Sequence, residues 1–195
     1  MKRKWTLAAS LVAAAMVTTS AWANEPGTWV LKAGPGTVMP TGDGLFVDTS
    51  DLGEGGIVTN SYIEADDATG LVINATYFFE KHWAVDILGA WPFEHDAYIS
   101  GDVGFQPVKV NIGTVSHLPP TVSLQYHLAP DAVIQPYVGL GANYTTFFSE
   151  SVNSTAQEVG FVSFELADSW GFGFQLGANM DVGEKWLVNL DARYI

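Results

Sequence analysis

Five charged residues lie inside stretches of alternating polar and apolar residues, and these are the side chains best placed to do chemistry: Lys32, Asp86, Glu94, Asp191 and Arg193. If the stretches are β-strands, each charge falls on the polar side, because successive side chains of a strand point to opposite faces. Charges enclosed together must be paired, which predicts a network of the two basic residues with the three carboxylates. Two roles remain open for this network: a structural plug of salt bridges, or a part in the passage of a solute.

The histidines show no catalytic or metal-binding pattern. None of His82, His95, His117 and His127 has the H-E-x-x-H spacing or another ligand spacing. Ser116 directly precedes His117, but neighbours in a strand point to opposite faces, so the two are poor partners in a catalytic triad. A lipid hydrolase is therefore the weakest interpretation, and we predict no enzyme, no metal site and no cofactor.

The first 23 residues have the three parts of a secretory signal peptide. They begin with the basic residues Lys2, Arg3 and Lys4, continue with an apolar run over residues 7–17, and end with the small-x-small site Ala21-Trp22-Ala23. The apolar run is much shorter than the roughly 20 residues that a transmembrane helix needs, which argues against an anchor. The sequence predicts cleavage after Ala23 and a single domain over residues 24–195.

The composition limits the class of protein. After cleavage the chain would have five basic and 21 acidic residues, a formal net charge of −16, which excludes nucleic acid as a partner because phosphate binding needs clustered Lys and Arg. No cysteine is present, so neither disulfides nor thiolate chemistry are expected. Hydrophobic residues make up 48% of the chain, without a run long enough for a membrane helix. An exported chain of this kind is a β-sandwich or a barrel whose outer face meets lipid.

Alternation of apolar and polar residues predicts an all-β fold of seven strands. The predicted strands cover residues 28–40, 70–79, 83–94, a stretch from near Val110 to Pro130, 133–148, 170–181 and 186–195. Long polar loops over residues 41–69, 95–110 and 149–168 alternate with short turns, and aromatic residues gather near the strand ends. Both features are typical of an antiparallel transmembrane β-barrel with long loops outside the cell and short periplasmic turns.

Three prolines mark one place in this predicted wall. Pro119 and Pro120 interrupt the fourth strand, and Pro92 lies in the neighbouring third strand, so hydrogen-bond donors are missing on both sides. All three lie at a height of about 25 Å above the short turns, near the outer boundary of the apolar band. We predict a weak seam through which an apolar solute leaves sideways into the outer leaflet. The alternative is that the prolines only end regular pairing near the extracellular rim.

Five blocks of sequence follow one another in a diagnostic order: HLPPT at 117–121, PYVGLG at 136–141, NYTTFF at 143–148, DSWG at 168–171 and WLVN at 186–189. Together they resemble the outer membrane protein W family over essentially the whole mature chain. The resemblance implies an eight-stranded outer-membrane barrel with a narrow, largely apolar upper lumen that passes small hydrophobic molecules. Family members end on an aromatic residue that the barrel assembly machinery reads. Seven strands and an end at Tyr194-Ile195 lead us to expect a truncation before the last strand.

The expected function is a narrow outer-membrane channel for passive uptake of small hydrophobic molecules. The alternative is a structural or surface-interaction barrel with a plugged lumen, acting through its extracellular loops. Expected partners are outer-membrane lipid, lipopolysaccharide, small hydrophobic solutes and the barrel assembly machinery. The side chains predicted to line the lumen are Lys32, Asp86, Leu88, Glu94, Asn189, Asp191 and Arg193.

Seven acidic residues between Asp43 and Asp67 fall in the first long loop. Their spacing matches no calcium-binding loop, so a solvated extracellular loop is the favoured interpretation. Binding of divalent cations that bridge lipopolysaccharide is the alternative.

Overall fold

The fold is known from a computed structural model that describes residues 14–19, 24–40, 45–47, 58–103, 106–154, 157, 166–183 and 186–195. Nearly all regular structure in these ranges is antiparallel β-sheet. No helix in the same ranges is long and apolar enough to cross a membrane. The strands are β1 Ala14–Thr19, β2 Trp29–Val38, β3 Leu45–Val47, β4 Val58–Ala65, β5 Ala68–Glu80, β6 Trp83–Ala90, β7 Phe93–Val103, β8 Gln106–Leu118, β9 Thr121–His127, β10 Ile134–Val152, β11 Ser169–Gly183 and β12 Trp186–Tyr194.

Seven strands form the wall in the order β2, β5, β6, β9, β10, β11 and β12, each antiparallel to the next. These correspond to the seven predicted strands, except that the third is divided into β6 and β7 and the fourth into β8 and β9. β1 lies between β12 and β2. It pairs with β12 along its whole length but with β2 through one residue pair, Val17 and Ala33.

β1 falls within the predicted signal peptide. The basic start and the predicted cleavage site at Ala21-Trp22-Ala23 lie outside the described residues. Cleavage after Ala23 therefore stays a prediction.

Burial in the wall is the reverse of that in a water-soluble protein. Large apolar side chains face outward, with Phe172 86% exposed, and charged side chains face inward, with Lys32 only 1% exposed. The strand from Thr121 to His127 shows the pattern residue by residue, because its odd-numbered polar residues are buried and its even-numbered apolar residues are exposed. Side chains that are apolar outside and polar inside are typical of a transmembrane barrel.

A second sheet continues the wall on one side. In it β3 pairs with β4, β4 with β7, β7 with β8, and β8 with the outer part of β10. The predictions of long polar loops at 41–69 and 95–110 were therefore wrong in part, because these ranges contain β3, β4, most of β7 and the start of β8. The extension has an apolar inner side of its own, where Ala97, Ile99 and Ile112 are buried together.

The outer face of this extension is polar. Glu94 and Asp96 are exposed on β7, and Lys109 donates a hydrogen bond of 3.1 Å to Asp66, which raises the pKa of Lys109. Charges on the outer face place β7 and β8 beyond the apolar band of the membrane. Four of the seven loop acids, Asp43, Asp48, Asp51 and Glu54, lie outside the described residues, and the described part of the chain holds no cluster of three or more potential metal ligands.

The prediction that Glu94 points into the lumen was wrong. Asp86 and Leu88 are buried in β6, whereas Phe93 and His95 are buried in β7, so the inward parity changes from even to odd numbers. The change occurs at Trp91 and Pro92, the two residues between the strands. The prediction continued the alternation of β6 unchanged through this bend and so placed Glu94 on the wrong face. A shift by one residue moves every later side chain of a strand to the opposite face.

Tyr137 packs across its partner in the neighbouring strand, Gly177. A Cβ atom at Gly177 would lie 2.3 Å from the phenol oxygen of Tyr137 and 2.7 Å from the carbonyl oxygen of Leu190. The fully buried phenol and the backbone leave no space for a methyl group.

We expect Gly177→Ala to lower the free energy of unfolding by about 2 kcal/mol or more, since overpacking a well-packed site costs about 1–3 kcal/mol. The measurement is urea unfolding of the protein folded in lipid vesicles. Gly183→Ala is the control, because a Cβ at Gly183 meets no described atom within 4 Å. Equal effects of the two substitutions would contradict this account of the Tyr137 contact.

Candidate functional site

Asp86 is the centre of a polar network inside the barrel. Its carboxylate accepts hydrogen bonds from Asn74 Nδ2 at 2.9 Å, Thr76 Oγ1 at 2.6 Å and Arg193 Nη2 at 2.7 Å. The donors come from β5 and from β12, while Asp86 itself is fully buried on β6. A buried carboxylate with three donors is well satisfied, so this arrangement meets the main requirement for enclosing a charge.

A second buried carboxylate, Asp191, continues the network. It accepts hydrogen bonds from Arg193 Nε at 2.8 Å, from the hydroxyl of Tyr137 at 2.6 Å and from Gln175 Nε2 at 2.5 Å. Asn189 donates to the Tyr137 oxygen at 2.9 Å. Arg193 therefore joins the two carboxylates, and the network reaches from β5 to β12 across the inside of the wall.

Lys32 is the most weakly held member of this group. Its Nζ lies 3.9 Å from Asp86 Oδ1 and 5.3 Å from the centre of the Tyr137 ring. It has no hydrogen-bond partner among the described residues. With Lys32 and Arg193 against Asp86 and Asp191, two positive and two negative charges balance within the lumen.

Apolar side chains lie on both sides of the charge network. Along β5 the inward residues run from Phe78 through Thr76 and Asn74 to Val72, so an apolar position is followed by two polar ones and another apolar one. The cluster towards the short turns consists of Val30, Phe78, Ala84 and Leu187. The cluster towards the extension, called here the upper apolar cluster, consists of Val38, Ala68, Val72, Leu88 and Phe93.

The wall is interrupted next to the upper apolar cluster. The ladder between β6 and β9 has its last pair at Leu88 and Thr121, and the ladder between β7 and β8 begins at Phe93 and His117. No ladder pair joins residues 89–92 to residues 118–120. Pro92, Pro119 and Pro120, the residues of the predicted seam, all lie in this interruption.

Each strand edge that borders the interruption is hydrogen-bonded to the strand on its far side. The amide of Trp91 donates to the carbonyl of Leu71 on β5 at 2.8 Å. On the opposite edge, the carbonyl of Pro120 accepts from the amide of Tyr144 at 3.1 Å and from Asn143 Nδ2 at 3.2 Å. The two edges thus keep partners without bonding to each other.

The structure brings together six of the seven residues predicted to line the lumen: Lys32, Asp86, Leu88, Asn189, Asp191 and Arg193 are buried, and Glu94 is not. The sequence reasoning missed Tyr137, Asn74 and Gln175, which complete the hydrogen bonds of the two carboxylates. The available signal was the alternation along each strand, since all three residues lie on the polar side of their strands.

The family model of the OmpW family matches residues 25–195. The chain belongs to the OmpW family. It is 36% identical to outer membrane protein W of Escherichia coli K12 over 99% of this chain and 84% of that protein. The crystal structure of outer membrane protein OprG from Pseudomonas aeruginosa superposes with a TM-score of 0.70 at 26% identity, covering 88% of this chain and 96% of OprG.

A more distant relative is the dibenzothiophene metabolism operon protein PahQ of Pseudomonas aeruginosa, 27% identical over 67% of this chain and 57% of that protein. The family consists of outer-membrane barrels that act as channels, and this chain is accordingly an outer-membrane barrel protein and not an enzyme. Its apolar outer face therefore lies in lipid.

Arg193 and Lys32 differ in how they are bonded, which predicts a difference in stability. Arg193→Met leaves two buried carboxylates without their charged donor and should cost about 3 kcal/mol or more of unfolding free energy. Lys32→Met removes an ammonium group with no hydrogen bond and should cost less than half as much. Urea unfolding in lipid vesicles measures both. A larger effect for Lys32→Met would show that the hydrogen bonds do not determine the strength of the network.

Proposed function

We propose that this protein is a narrow channel for passive uptake of small hydrophobic molecules, which enter the upper lumen from outside the cell and leave it sideways into the outer leaflet. The observation that carries the proposal is the position of the upper apolar cluster. Leu88 and Phe93, two of its members, are the residues at which the ladders stop on either side of the interruption. An apolar surface thus lies directly inside the interruption between β6–β7 and β8–β9.

The charge network supports a sideways path. An apolar solute that continued towards the periplasm would have to displace side chains that hold Asp86 and Asp191, leaving buried charges without partners. Leaving these buried charges without partners costs far more free energy than contact with an apolar solute provides. The interruption, in contrast, already lacks ladder bonds.

The name of PahQ connects that relative with the metabolism of an apolar aromatic compound. An apolar solute gains roughly 25 cal/mol per Å² of surface removed from water, which favours its entry into the upper apolar cluster and then into lipid. Lipopolysaccharide around the extension and the barrel assembly machinery are further proposed partners.

A second candidate is a structural or surface-interaction barrel that acts through its extracellular side. The buried network of Asp86, Asp191 and Arg193 favours it, because a barrel of about eight strands has a bore just wide enough for side chains. The extension, with its polar outer face, would then be the functional surface. Uptake of a solute separates the two candidates.

Closing the interruption should reduce uptake. In the triple variant Pro92→Val, Pro119→Val, Pro120→Val, amide donors that the prolines lack are restored along both edges of the interruption. We expect uptake of dibenzothiophene into vesicles with lipopolysaccharide in the outer leaflet to fall to near that of protein-free vesicles.

Pro35→Val is the matched control, since Pro35 lies in an intact ladder on β2, opposite Leu71. Uptake by this control should equal that of the unsubstituted protein. Unchanged uptake by the triple variant would rule out the sideways path, and no uptake by the unsubstituted protein would favour the surface-interaction barrel.

A further inference from the structure

Four aromatic side chains form a contiguous group on the inner side of the extension, called here the aromatic collar: Phe93, His95, His117 and Phe147. His117 is at its centre. Its ring is stacked on His95 with 4.8 Å between centroids and on Phe93 with 5.7 Å, and it contacts Phe147 at 5.9 Å. The members of the collar contact one another through their ring faces.

The collar borders the interruption in the wall. Phe93 and His117 are the first paired residues beyond it, and His117 also pairs with Phe147 on β10. Phe93 belongs to the upper apolar cluster as well. A solute that moves between this cluster and the interruption therefore contacts the collar first.

His95 has a free hydrogen-bond acceptor inside the collar. Its side chain is only 3% exposed, and Nδ1 lies 2.5 Å from the carbonyl oxygen of Asp66. A carbonyl only accepts, so Nδ1 carries the proton, and in the neutral ring Nε2 is then an acceptor. Nε2 has no partner among the described residues. A buried acceptor without a donor is unfavourable, and a bound donor would relieve it.

His117 adds a neutral aromatic face. Burial, with a smaller contribution from neighbouring His95, lowers the pKa of His117 to about 4. The ring is therefore uncharged at neutral pH and stacks as an ordinary aromatic ring.

From these contacts we infer that the collar is a selective binding site for aromatic solutes that carry one N–H or O–H donor. The inference rests on the proposed function, since it names the class of solute that the channel favours. A bound aromatic ring would stack on the ring faces of the collar, as its members stack on one another. The donor then bonds to His95 Nε2, which a hydrocarbon or thioether of the same shape cannot do.

Carbazole and dibenzothiophene test this, because they are tricyclic molecules of similar shape in which an N–H takes the place of a sulfur. With the whole protein in detergent micelles at about pH 8, where histidine is neutral, carbazole should shift the ¹⁵N resonance of His95 Nε2, and dibenzothiophene should not. We expect carbazole to bind about fivefold more tightly, the effect of one net hydrogen bond.

His95→Phe keeps a ring in the collar and removes the acceptor, so the preference for carbazole should fall from about fivefold to about one. His82→Phe is the control. His82 lies at the opposite end of the barrel, where it contacts the carbonyl of His127, and its substitution should leave the preference intact. If His95→Phe does not fold, Phe147→Leu serves instead; it should weaken both ligands by the same factor and keep the preference.

Equal binding of the two ligands by the unsubstituted protein, or no carbazole-dependent shift of Nε2, would overturn the inference. These readouts measure binding and not passage, so they are separate from the test of the channel. Selective binding without uptake would place the collar on a surface-interaction barrel and would leave the inference standing. Uptake without selectivity would support the channel and refute the collar as its selective site.

Discussion

Every peptide group of a strand in lipid needs a hydrogen-bond partner within the protein, because the bilayer interior offers none. That requirement explains the continuous ladders from β2 to β12 and the reversed burial of this chain. Once all backbone groups are used in the wall, the side chains divide by the strand period alone, apolar towards lipid and polar towards the lumen.

A polar interior creates a second requirement, since enclosed charges need partners of their own. Arg193 satisfies it for two carboxylates at once, through Nη2 to Asp86 and Nε to Asp191. A planar guanidinium with several donors can bond in two directions, which an ammonium group such as that of Lys32 does less well. The resulting cross-link ties β6 to β12 on the buried side of the wall.

The sequence was sufficient to predict the face on which a side chain lies wherever a strand keeps its two-residue period. It was insufficient where that period is broken. Lys32 and Asp191 lie in regular strands and are buried on the parity that alternation predicts. The prediction failed for Glu94, because no local signal tells how many residues the bend at Trp91 and Pro92 uses. The partners of the carboxylates were also beyond reach: Tyr137 contacts Asp191 across 54 positions of sequence, and only the register of the wall brings the two together.

The interruption at the three prolines is compatible with the need for backbone hydrogen bonds in lipid because of how its two edges are bonded. Within the apolar band, two strand edges without partners would leave peptide groups unbonded in lipid. Here the edge at Trp91 is bonded back to β5, and the edge at Pro120 is bonded back to β10. A proline has no amide hydrogen to satisfy, so Pro92, Pro119 and Pro120 also remove three donors from the region. An opening in a membrane wall is thus favoured by residues that lack donors and by edges that are bonded on their other side, and this chain has both next to its upper apolar cluster.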